Sequence, residues 1–270
     1  MSTSTRRLGP GDAGAGDSGT GEESQEELDR MGLFEHLDEL RRRIIRALIG
    51  FTVAFMGCWM FAQQIYDFLA QPIYKYLPEG SKLVFLGVTE PFLIYVKVAA
   101  LAAVFVASPY ILYQLWAFVA PGLYRNEKAL AAPFIFFGSV LFLAGGAFAY
   151  YIAFPFAVEF LLGIGEQFEA SVTVTSYLSF LMTVVLGLGV MFELPTVIFL
   201  LARMGVVTPA FLLRHFRWAV LIIFTVAAII TPTPDVINLC IFALPTILLY
   251  LVGVGVAALF GRKPEPAEQD

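Results

Sequence analysis

Charge is what this sequence has least of. Only 14% of its residues are Asp, Glu, Lys or Arg, against about 25% in a soluble domain. A chain with a wet surface all round is therefore excluded. Two cysteines and two histidines are too few for a disulfide framework or an expected metal centre. Cys58 and Cys240 both stand in apolar stretches and read as small buried hydrophobes. There is no His-Glu-x-x-His, no Gly-x-Ser-x-Gly and no phosphate-cradling loop, so the usual parts of an enzyme are missing and no cofactor is expected. No basic stripe points to nucleic acid.

What the chain has instead is apolar mass. Hydrophobic residues make up 59% of it, Phe alone contributes 26 copies, and the mean hydropathy is +0.77. Six apolar segments stand near 44–64, 92–118, 130–155, 175–202, 215–231 and 236–260. About 20 such residues cross a 30 Å hydrocarbon layer as a helix. The expected fold is therefore all-α: a polytopic membrane protein of six transmembrane helices. The fifth segment is the short one. Only Trp218 to Ile230 lie between Arg217 and Thr231, roughly 20 Å of helix at 1.5 Å per residue. It either falls short of a full crossing or sits where the bilayer thins.

The flanks differ in kind. Residues 1–30 combine Gly, Ser, Thr and seven acidic residues with a net charge of -4, a composition that reads as a disordered acidic tail. Arg6-Arg7 has no apolar run behind it and is not an export signal. In 31–46, Leu33, Leu37, Leu40 and Ile44 recur at helical spacing between Glu35, Asp38, Glu39 and Arg41-Arg42-Arg43. That pattern predicts an amphipathic helix at the membrane surface, running into the first span. Residues 31–260 are then the membrane domain and 261–270 a cytoplasmic tail. Of 17 Lys and Arg, 14 fall before the first span, in the second and fourth connections, or in the C-terminal tail. With six spans, that bias puts both termini in the cytoplasm. Pro109, Pro133, Gly138, Gly145-Gly146, Pro195 and Pro245 interrupt the spans, where such residues bend helices or let them pack closely.

Three carboxylates are candidate functional groups. Glu193, within Val190-Met191-Phe192-Glu193-Leu194-Pro195, lies mid-segment. A charge at that depth costs about 2.5 kcal/mol or more, so it must face protein or water. Glu39 and Glu127 lie on the cytosolic side, where each taken alone reads as a solvated charge before a functional one; Glu39 also has Arg43 at i+4. A proton-coupled secondary transporter using Glu193 is the alternative function, but the inverted repeats it would need are not found. A membrane-embedded enzyme or a scaffold for other membrane subunits is a further competing reading.

Six strings in order are more specific than any of these. HLDELRRR (36–43), SPYILYQLWAFVAPGLYRNE (108–127), GGAFAYYIAFP (145–155), SYLSFLM (176–182), FELP (192–195) and TPTPD (231–235) resemble the TatC family, the polytopic core of the twin-arginine protein translocase. TPTPD carries one residue more than the Thr-Pro-Pro-Asp of many members, and the acidic 1–30 stretch is not part of the pattern. The resemblance implies recognition of paired arginines on signal peptides of folded cargo, assembly with the single-span subunits TatA and TatB, and self-association in a receptor complex. It also implies an inner-membrane location, energy from the proton-motive force, and short fifth and sixth helices. Carried onto this chain, signal-peptide binding falls to Glu39 and Glu127, with Phe118 and the Pro121-Gly122 turn shaping the patch and Arg41 and Arg43 orienting Glu39 or holding lipid headgroups. Glu193 matches the family's intramembrane acidic residue, a polar site or partner-helix contact. Pro72 and Asp235 match outer-side positions and read as structural.

Overall fold

The computed structural model describes residues 19–76, 83–119, 131–165, 171–231 and 235–261. The architecture is all-α. Helix α1 is Gly19–Trp59, α2 Ala62–Tyr74, α3 Glu90–Val119, α4 Ala131–Phe148, α5 Phe154–Ile164, α6 Val174–Phe192, α7 Leu194–Arg203, α8 Pro209–Arg214, α9 Phe216–Ile230 and α10 Val236–Phe260. Residues 1–42 and 43–270 form two compact units.

Each of the six apolar segments coincides with a helix or a helix pair. Four spans are long and apolar enough to cross a membrane: Glu90–Phe118, Ala132–Ile164, Val174–Arg203 and Val236–Phe260. The first segment, Leu37–Trp59, meets that standard only together with α2, from which it is bent by 82°. Helix α9 has 15 residues, roughly 22 Å of rise against a 30 Å core, as counting the sequence indicated. The sixth helix, by contrast, is not short. With 25 residues it covers about 37 Å, which departs from what the family resemblance implied. Helix α1 also begins earlier than the amphipathic stretch, at Gly19, inside the stretch read as an acidic tail. The Glu and Gln between 22 and 27 are good helix formers, and a helix already established downstream extends at little cost.

Within residues 43–270 the core is a continuous apolar cluster. Phe154, Leu178, Leu181, Leu188 and Phe242 are fully buried in it. Glycine sets the closest approach of two spans. A Cβ on Gly145 of α4 would stand 2.7 Å from the Leu188 carbonyl oxygen and 2.8 Å from Phe192 Cβ, so any larger residue pushes α4 off α6. Outward-facing Leu48, Ile49, Val53 and Met56 of α1 are exposed, as lipid-facing residues should be.

Prolines inside helices free backbone carbonyls, and hydroxyl groups meet them. Pro72 of α2 has no N–H to give the carbonyl of Phe68; the Tyr150 hydroxyl donates to that oxygen at 2.5 Å. Pro109 of α3 likewise frees the carbonyl of Phe105, and the Ser108 hydroxyl donates to it at 2.8 Å. Tyr177 reaches the next carbonyl of α2, Leu69, at 2.7 Å. Tyr150 belongs to a π-helical turn, Ala149–Ala153, just before Pro155. The wider turn suits a site where the i−4 bond is lost in any case. Helix α2 is thus tied by two phenols to the spans beneath it. On the same side, Val84 pairs with the segment leading into α6 through Val84 N–H to Val172 O at 3.1 Å and Val174 N–H to Val84 O at 3.0 Å.

Phe in place of Tyr150 or of Tyr177 keeps the ring and removes the hydrogen bond that ties α2 to the neighbouring span. Each is expected to lower stability by about 1–3 kcal/mol, read as a lower thermal midpoint of the purified protein in detergent. Unchanged midpoints in both variants would contradict this use of the phenols.

Candidate functional site

In the unit of residues 1–42, α1 carries Glu39 half-buried and Arg41 exposed. Asp38 and Arg42, one turn apart on the same helix, form an ion pair at 2.6 Å with both side chains well exposed. Such an i,i+4 pair contributes a few tenths of a kcal/mol. It supports the helix and does little else.

In the unit of residues 43–270, Arg43 donates to the side-chain oxygen of Gln114 on α3 at a long 3.4 Å. Gln114 is 4% exposed, a polar side chain within an apolar stretch of α3, so this contact answers a group that would be costly to leave alone. Phe118, half-buried, follows one turn later, next to a small apolar cluster of Trp116, Ala117 and Phe134. Glu127 and Pro121 lie outside the described residues.

Pro72 and Asp235 have defined structural surroundings. Pro72 is buried in α2, where it frees the Phe68 carbonyl. Asp235 is the N-cap of α10: its carboxylate accepts from the Asn238 N–H at 2.7 Å and from the Asn238 side-chain amide at 2.9 Å. Asn238 is 2% exposed, so the cap also gives a buried side-chain amide its acceptor.

Glu193 stands at the joint between α6 and α7. Its N–H donates to the Val190 carbonyl at 3.1 Å and its carbonyl accepts from Val197 at 2.9 Å, while Pro195 opens α7. The carboxyl oxygens are buried, and among the described residues neither has a hydrogen-bond partner of ordinary geometry. One of them, Oε2, faces Gly138 of α4. The point where a Cβ of Gly138 would lie is 3.2 Å from Oε2, 3.0 Å from Leu112 Cδ1 of α3 and 3.3 Å from Thr196 Cγ2 of α7. The carboxyl is thus stored at a junction of three elements with its accepting capacity unspent, an arrangement that costs free energy. Groups of His, Cys, Asp and Glu that could hold a metal ion are absent among the described residues.

Sequence reasoning placed Glu193 but not its neighbours. Gly138 was visible as an interruption of a span, not as the floor of a polar site. Gln114 had a signal, an amide inside an apolar run, which could have marked it.

These features define a polytopic α-helical membrane protein with a carboxyl group held inside its helix packing. A model of the family described as Sec-independent protein translocase protein (TatC) matches residues 35–245, and the chain belongs to that family. The Sec-independent protein translocase protein TatC of Koribacter versatilis (strain Ellin345) is 48% identical over 243 residues, 89% of this chain and 90% of that one. Its counterpart from Helicobacter pylori (strain J99 / ATCC 700824) is 42% identical over 87% of this chain and 92% of the relative. A solved structure described as Crystal Structure of Twin Arginine Translocase Receptor- TatC superposes with a TM-score of 0.72 at 37% identity, covering 84% of this chain and all of that one. A second crystal structure of that receptor, in DDM, gives 0.73 at 36% identity, over 82% of this chain and 99% of that one.

If the polarity of Glu193 is what matters, Glu193→Gln retains most of its function and Glu193→Leu loses it. Export of a reporter cargo in cells carrying each variant checks this. Wild-type export by the Leu variant would remove Glu193 from any functional role.

Proposed function

We propose that this chain is the signal-peptide receptor of a twin-arginine translocation system in the cytoplasmic (inner) membrane. It binds the paired arginines of signal peptides on folded cargo and nucleates assembly with the single-span subunits TatA and TatB. Cargo export is driven by the proton-motive force. In this reading the chain crosses the bilayer six times, with both termini in the cytoplasm. The observation that carries the reading is the family match over residues 35–245, which includes both HLDELRRR and SPYILYQLWAFVAPGLYRNE.

The chemistry suits the residues. A guanidinium presents two parallel N–H donors to a carboxylate, a planar two-point contact that an ammonium cannot copy. Two arginines call for two acceptors, and Glu39 and Glu127 supply them from separate segments of the same expected surface. Phe118 and the turn at Pro121 shape the patch, and Arg41 and Arg43 orient Glu39. Glu193 serves a different purpose: its unspent acceptor capacity receives a hydrogen-bond donor from a partner helix within the membrane. The receptor associates with further copies of itself in the working complex.

Removing one carboxylate removes a charge-assisted contact worth about 1.5–3 kcal/mol, a tenfold or larger loss of affinity. Glu127→Ala is therefore expected to weaken binding of a twin-arginine peptide at least tenfold, and binding of its twin-lysine analogue much less. Equal, small losses for both peptides would remove Glu127 from the recognition site. Separately, a protonophore added to energised vesicles is expected to stop cargo export while twin-arginine peptide binding persists. Export that continues without the gradient would contradict the energy source.

A further inference from the structure

We infer that Gly138 is the positioning residue for Glu193: by carrying no side chain, it lets the carboxyl lie in the junction of α3, α4 and α7 rather than swing to the open side of the span. The inference deepens the reading of Glu193 as an intramembrane acceptor and rests on it for function, though not for geometry.

Three distances carry it. An added methyl at position 138 meets Leu112 at 3.0 Å, Glu193 Oε2 at 3.2 Å and Thr196 at 3.3 Å, all closer than ordinary van der Waals contact. One of the three must give way. Leu112 is 9% and Thr196 7% exposed, so both are held by surrounding atoms. The backbone of Glu193 is held as well, by its bonds to Val190 and Val197 and by Pro195 at the start of α7. Glu193 is the least buried of the three, so its carboxyl has the most room to turn. It moves by rotation about its own side-chain bonds, and the helices stay where they are.

Gly145, one heptad along α4, shows the contrast. Its would-be Cβ meets the Leu188 carbonyl oxygen at 2.7 Å and Phe192 Cβ at 2.8 Å. Those are atoms of the helix framework, so a side chain there separates α4 from α6. Gly145 therefore serves packing, and Gly138 serves the site. A carboxyl kept at the junction meets a partner group only at that junction, which restricts the donors that can reach it.

The test is the infrared band of the Glu193 carboxyl in the full-length protein in lipid bilayers. The band is isolated as the difference between each protein and the same protein carrying Glu193→Gln. Gly138→Ala is expected to shift it toward a hydrated carboxyl. Gly138→Ser, whose hydroxyl reaches Oε2 from the same point, is expected to shift it toward a hydrogen-bonded carboxyl without hydration, and it decides the matter if the Ala variant fails to fold. Export of a reporter cargo by Gly138→Ala is expected to fall severalfold, with twin-arginine peptide affinity within twofold of wild type. A Glu193 band unmoved by either substitution overturns the positioning role whatever the export result. Shifted bands with full export in both Gly138→Ala and Glu193→Gln uphold the positioning role and overturn instead the partner-contact reading on which it builds.

Discussion

A backbone inside a bilayer has no water to fall back on, so each carbonyl and N–H must find its partner within the protein. Much of this structure is a response to that constraint at its own prolines. Pro72 and Pro109 each leave a carbonyl without its helical donor, and Tyr150 and Ser108 each supply a hydroxyl in its place. The first of these bonds crosses between elements. It joins the 13-residue helix α2 to a π-helical turn of the neighbouring span, with Tyr177 fixing the next carbonyl along. The bend of 82° between α1 and α2 thus feeds a short helix with defined anchors. On the other face of the chain Tyr250 of α10 donates to the Leu212 carbonyl of α8 at 2.9 Å. A buried phenol holding the backbone of a short helix therefore recurs at both ends of the spans.

Against that background Glu193 stands out. A fold that supplies hydroxyl donors to orphaned carbonyls leaves both oxygens of this carboxyl without one among the described residues. Such a group is expensive to keep and easily replaced in a structure that needs only packing. Its retention beside a glycine that makes room for it is the physical argument for a use in binding. Glu39 presents the opposite case. Glu39 is only half-buried and the neighbouring Asp38–Arg42 pair is exposed. On the proposed reading, affinity at that surface comes from two forked contacts acting together, since single exposed pairs contribute little.

The spans were legible in the sequence because lipid imposes a length and an apolarity that any window can read. The short α9 could be counted between Arg217 and Thr231. The family was legible from six strings in order. The helical start at Gly19 was not anticipated, because composition reports the cost of burial and not helix extension; the full length of α10 could be counted from Val236 to Phe260, against the short sixth helix that the family resemblance implied. The contacts that make the site were invisible for a simpler reason. Tyr150 and Phe68 are 82 residues apart, Tyr177 and Leu69 108, and Arg43 and Gln114 71. No local period encodes such pairs. Gly138 and Glu193 likewise meet only once α4, α6 and α7 have packed.

The central claim is that paired arginines are read at the cytosolic face through Glu39, Phe118 and Glu127. The direct test is site-specific photocrosslinking in membranes, with the probe placed beside each of these positions in turn and presented with an intact twin-arginine signal and its twin-lysine variant. The account predicts strong adducts to the twin-arginine signal from all three positions, sharply reduced with twin-lysine. Equal adducts with the two signals, or adducts confined to positions elsewhere on the chain, would contradict it.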